Sequence, residues 1–142
     1  MGAWGMGVFD DDTSCDLIDE AMEGEVASLI ENASAHKDSD YLEYEECHEV
    51  LVSGAILDSI LNGTKYGDAV EGFDEWVSKQ PKALVASFKA QILEALNIIV
   101  SDKSELNELW QENEDDYPRW KANVNNIIAG WSSYQGAQAR TR

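Results

Sequence analysis

Glu43-Tyr44-Glu45-Glu46-Cys47-His48-Glu49-Val50-Leu51-Val52-Ser53-Gly54-Ala55-Ile56-Leu57-Asp58-Ser59-Ile60-Leu61 is the stretch that decides the fold. Helical spacing gathers Cys47, Val50, Leu51, Gly54, Leu57 and Leu61 on one face. After the first two turns the opposite face, with Val52, Ala55, Ile56 and Ile60, is apolar as well. A helix apolar on most sides has no face to offer water, so it belongs in the middle of a bundle. Asn62 and Gly63 end it.

The flanking segments supply the helices that would cover it. Upstream, Thr13 or Ser14 caps a run to about Met22, and Gly24 separates that run from a second one, Glu25 to Ala35. Downstream, Thr64 to Gln80 reads as a connection with at most a short helix around Asp74 to Lys79. Pro81 then opens Lys82 to Val100, where Leu84, Val85, Phe88, Ile92, Ala95, Leu96 and Ile99 form an i, i+3, i+4 stripe. Ser104 caps a short helix, Glu105 to about Glu112, carrying Leu106, Leu109 and Trp110. The acidic loop Glu114-Asp115-Asp116 precedes Pro118, a first-turn residue of a last helix that runs to about Trp131 with Trp120, Val124, Ile127, Ile128 and Trp131 inward. Strand signals are weak throughout. The expected fold is all-α: a single-domain bundle of five to six helices over residues 1–134, with a flexible C-terminal tail at 135–142. Its N-terminal segment is irregular and Gly-rich, with Trp4 and Phe9 as anchors and Gly2, Gly5 and Gly7 as points of bending.

Charge is the second strong signal. The 142 residues carry 28 Asp and Glu against 10 Lys and Arg, a net −18. Residues 1–50 hold 15 acids and one base, Lys37, for −14, whereas residues 51–142 hold 13 acids and nine bases, for −4. With 44% hydrophobic residues and five Trp, this is not the composition of a disordered acidic tail. Nucleic acid and anionic lipid are disfavoured as direct partners, because both need Lys and Arg to neutralise phosphate.

A cytoplasmic location is expected. Met1 to Phe9 has no basic residue and runs into Asp10, Asp11 and Asp12, unlike a secretory signal. Met6 stands where an N-myristoylation motif needs Ser or Thr. No apolar run approaches the roughly 18 residues of a membrane span. Cys15 and Cys47, far apart and without CxxC spacing, fit a reduced pair better than a disulfide framework, although one bridge stays open.

Several groupings could carry chemistry. Glu45-x-x-His48, beside Glu46 and Glu49, has the spacing of carboxylate-bridged di-metal bundles, but the other histidine, His36, has Ala33 where the second pair needs a carboxylate. Glu45, His48 and Glu49 are therefore weak metal candidates, and no cofactor is expected. Asp10, Asp11, Asp12 and Asp16 do not follow a calcium loop, which wants Gly at its sixth position; carboxylates ahead of a helix N-terminus interact favourably with its dipole instead. The acids around Cys47 oppose thiolate formation, which leaves it a small core residue, with His48 at the rim. Gly-x-Gly at the N-terminus lacks the preceding strand of a phosphate loop.

Met1-Gly2-Ala3-Trp4-Gly5-Met6-Gly7-Val8-Phe9-Asp10-Asp11-Asp12 resembles the MG-x-W-G-x-G-x-F-[DE]-[ND]-D start of the bacterial family called domain of unknown function 4259. Glu49 to Gly63 resembles that family's small, apolar central helix, and Ser104 to Glu112 its S-E-L-x-E-L-W-x-E segment, with Trp120 following. Leu17-Ile18 departs from a position where Trp is common, and the central helix is less Ala-rich. The resemblance implies a small, single-domain, bacterial cytoplasmic protein. It carries over no catalytic residues.

Function then divides between two classes. One is an acidic module that binds a basic protein, in its concrete form an immunity protein or inhibitor that occludes a toxin or other nucleic-acid-handling enzyme. Its contact residues would be Asp10, Asp11, Asp12, Asp16, Asp19, Glu20, Glu114, Asp115 and Asp116, with Tyr41 and Tyr44 as aromatic anchors. A monomer is expected. The other is a metal-binding or hydrolytic enzyme built on Glu45, Glu46, His48 and Glu49, or a scaffold protein; the binding class, which is not an enzyme, is preferred.

Overall fold

A computed structural model describes residues 12–62, 72–80, 82 and 88–140, with side chains as far as Ile128. The Gly-rich start, residues 63–71, Pro81 and the 83–87 part of the long stripe lie outside the described residues. Seven α-helices occur among those described: α1 (Asp12–Glu20), α2 (Val26–Ser34), α3 (Tyr44–Asn62), α4 (Phe73–Ser78), α5 (Lys89–Ile99), α6 (Glu105–Gln111) and α7 (Tyr117–Arg140). The count exceeds five to six because the optional helix in the Thr64 to Gln80 connection forms, as α4. It starts after Gly72, whose φ of 83° is left-handed, and buries Phe73 against the core.

Helix α3 is the axis of the bundle. Every other helix packs against it, and every side chain from Val50 to Leu61 is buried. At roughly 1.5–3 kcal/mol for each fully buried Val, Leu or Ile side chain, this element contributes more apolar stabilisation than its length suggests. Helices α1 and α2 cover one side of it, with Ile18, Leu29, Ile30 and Ala33 inward. A kinked turn, Ala21–Glu25, joins them, and the helical path breaks at Gly24, whose φ of 115° excludes other residues without strain. Helix α5 presents Ile92, Ala95, Leu96 and Ile99, the expected stripe.

No strand forms among the described residues. One parallel bridge, Leu42 to Ser104, ties the approach to α3 to the start of α6: the Leu42 N–H donates to the Lys103 carbonyl at 2.8 Å, and the Glu105 N–H to the Leu42 carbonyl at 2.9 Å. Ser104 caps α6 as expected, its Oγ accepting from the Asn107 N–H at 3.1 Å. Trp110 of α6 stacks on Trp120 of α7, with centroids 6.1 Å apart and planes 11° from parallel. Helix α7 continues past Trp131 to Arg140, so the segment expected as a tail begins inside it. Ala137, Gln138 and Ala139 are good helix formers, and the single glycines Gly130 and Gly136 weaken a helix without ending it.

Candidate functional site

Asp16, Asp19 and Glu20 lie exposed on α1, as does Glu23 in the following turn and Glu31 on α2. Asp12 opens α1, and Asp10 and Asp11 lie outside the described residues. No Lys or Arg precedes Lys37 in the sequence. That one cation is bound by its neighbour: Lys37 Nζ sits 2.8 Å from Asp38 Oδ2, and this hydrogen bond raises the lysine's pKa above its ordinary value. The charge asymmetry of the sequence thus becomes a surface of carboxylates along α1, the kinked turn and α2.

The remaining candidates sit on another part of the bundle. Glu114 and Asp115 are exposed in the turn between α6 and α7, where Asn113 Nδ2 donates to Asp116 Oδ2 at 3.1 Å. Tyr41, 44% exposed, is the large hydrophobic side chain most open to solvent among the described residues. Its hydroxyl donates to Glu108 Oε1 at 3.0 Å. Partial desolvation and then the Glu108 carboxylate push its pKa up to about 12. Tyr44 is not an exposed anchor: it packs against the core, its ring edge-on to His48 at 4.7 Å, and its N–H donates to Glu105 Oε1 at 2.8 Å. As the first residue of α3 it has an unsatisfied amide, which the Glu105 carboxylate fills.

The Glu-Glu-Cys-His-Glu run resolves into separate structural roles. Glu46 Oε1 accepts from the Glu43 N–H at 2.9 Å, the reach-back of a capping box at the start of α3. Glu45 is exposed. Cys47 is fully buried, its Sγ donating to the Leu42 carbonyl at 3.6 Å, and burial raises its thiol pKa; no disulfide joins Cys15 and Cys47. His48 is not at the rim. It is 4% exposed, with Nδ1 3.0 Å from the fully buried Ser14 Oγ, because α1 packs over this turn of α3.

The imidazole that does meet carboxylates is His36, in the 3-10 turn Ala35–Asp38: Nε2 is 2.9 Å from Glu49 Oε1 and Nδ1 3.8 Å from Glu46 Oε2. Among the described residues no group of three or more His, Cys, Asp and Glu is arranged to hold a metal ion. Glu49 also lines a cleft of about 490 Å³ between α1, α2 and α3, together with Leu17, Glu20, Glu23, Ser28, Leu29 and Asn32. Sequence reading missed both the Ser14 and His48 pair and this cleft, because each joins residues far apart in the chain. Among the described residues no helix is long and apolar enough to cross a membrane.

Residues 2–123 match the family model described as Domain of unknown function (DUF4259). The chain belongs to that family. The DUF4259 match takes in α1 to α6 and the first turns of α7, so the acidic helices, the buried α3 and the Ser104 cap all fall within it. No match was found among curated proteins or among solved structures.

Proposed function

We propose that this DUF4259 protein is an acidic protein-binding module of the bacterial cytoplasm, an immunity protein or inhibitor that neutralises a toxin or other basic, nucleic-acid-handling enzyme by occluding it. One observation carries this: Asp16, Asp19, Glu20, Glu23 and Glu31 are exposed on α1, the kinked turn and α2, with no Lys or Arg before Lys37, which is paired with Asp38. Carboxylates on such a face take positions that substrate phosphates occupy on a basic enzyme. Steering by a field of this sign accelerates encounter with a cationic surface by roughly 10- to 1000-fold at low salt. The gain fades once the Debye length falls to about 8 Å at physiological ionic strength. Such a role requires no catalytic group and no cofactor.

The test is capture from the native strain at low and moderate salt, with the bound proteins identified. A basic, nucleic-acid-handling protein is expected, held more tightly at low salt and lost on reversing Asp16 and Asp19 to Lys. Recovery of no basic protein at either salt, or capture indifferent to the reversal, refutes the proposal.

A further inference from the structure

The acidic surface is not flat. Between α1, α2 and α3 it opens into a cleft of about 490 Å³, within the roughly 300–1,000 Å³ typical of ligand sites. Three acidic residues line it from three different elements: Glu20 at the end of α1, Glu23 in the kinked turn and Glu49 on α3. Leu17 and Leu29 line it as well, as the smaller, apolar share of a mainly polar wall, and Ser28 and Asn32 add a hydroxyl and an amide. Among the described residues no cation is paired with Glu20 or Glu23, while Glu49 receives His36 on one oxygen.

From this combination we infer that the cleft takes an arginine side chain projecting from a basic partner protein. Two properties of the lining select that occupant. An arginine has a three-carbon stem that packs on apolar surface while its head remains polar, which suits a cleft lined by two leucines as well as by acidic residues. Its planar guanidinium carries five N–H donors in a fixed fork and stays charged at all working pH values, so it can serve carboxylates arriving from separate directions. A compact ammonium would satisfy fewer of them, and a phosphate or carboxylate ligand would be repelled. The inference rests on the acidic-face reading above and names its anchor point.

The probe is the peptide acetyl-Gly-Arg-Gly-amide, compared with its citrulline counterpart, which has the same shape and no charge. In amide spectra of the full chain, the arginine peptide is expected to produce saturable millimolar-range shifts centred on Leu17, Glu20, Leu29 and Asn32, and the citrulline peptide none. The variant E20Q/E23Q/E49Q is expected to lose at least about tenfold in affinity for it, whereas E114Q/D115N, in the turn between α6 and α7, keeps it. E20Q/E23Q, which leaves the His36 to Glu49 contact in place, guards against a folding defect and is expected to show most of the loss. Equal shifts with the citrulline peptide, no saturable shift with arginine, or unchanged affinity in both cleft variants would each overturn the inference. If the cleft variants still capture the basic partner as well as the parent while reversal of Asp16 and Asp19 abolishes capture, the cleft assignment fails and the acidic-face reading survives. If no basic partner is captured at all, both fail.

Discussion

Glu49 Oε1 accepts a hydrogen bond from His36 Nε2 at 2.9 Å, fastening the 3-10 turn after α2 to the third helix. Since a carboxylate can only accept, Nε2 carries the proton. The pair is mostly shielded, with His36 at 16% and Glu49 at 26% side-chain exposure. A double-mutant cycle with His36→Ala and Glu49→Gln is expected to give a favourable coupling of about 0.5–1 kcal/mol in urea unfolding. Strict additivity of the two single substitutions would show that the contact contributes nothing.

Ser104 closes the N-terminus of α6 and touches Cys47, whose Sγ lies 3.4 Å from its Oγ. Ser104→Ala leaves the buried Asn107 N–H without its acceptor, and loss of the cap costs about 1 kcal/mol. The unfolding midpoint should fall with an unchanged denaturant slope. Ser104→Thr or Ser104→Asp is expected to recover less than a surface cap would, since the site is fully buried and has little room.

Gly54 of α3 packs directly against Leu96 of α5: an added methyl would meet Leu96 Cδ1 at 3.0 Å and Cδ2 at 3.1 Å. Alanine gains about 1 kcal/mol of helix propensity over glycine, but overpacking costs about 1–3 kcal/mol, and the fully buried Leu96 has nowhere to swing. Gly54→Ala is therefore expected to lower stability. In a Leu96→Ala background the same change should become neutral or stabilising. A stabilised single variant would contradict the close packing.

Tyr41 contributes to the pH dependence at the alkaline end. Its pKa is raised to about 12 by partial desolvation and by Glu108, from an ordinary value of 10.0. The folded state therefore holds this proton more tightly than the unfolded chain does. Its contribution to stability is complete below pH 10 and disappears as pH rises through about 12. Spectrophotometric titration of the five tyrosines should show one late phenolate transition that is absent in Tyr41→Phe. If Tyr41→Phe leaves the high-pH end of the curve unaltered, the Glu108 contact does not hold in solution.

How far the sequence discloses the molecule depends on how local each feature is. The axial helix was legible because an all-round apolar run from Val50 to Leu61 has one physical solution, burial on every side. Gly24 and Ser104 were legible because a left-handed turn and a helix cap are set by single residues. His48 was not: its burial depends on Ser14, 34 positions earlier, meeting it when α1 packs on α3. Tyr44 looked like a surface aromatic because composition does not tell which way a first-turn ring faces. The acidic face lay half in view, its charge countable in the sequence and its cleft created only by the approach of three elements.

Attraction of a basic partner by the carboxylates of α1 and the turn after it is the core of the proposed role. Its most direct test is the association rate of the captured partner, measured across ionic strength for the parent and for Asp16→Lys/Asp19→Lys/Glu20→Lys. The parent's rate is expected to fall steeply with salt, and the variant to associate more slowly and nearly independently of salt. Equal rates with equal salt dependence would contradict it.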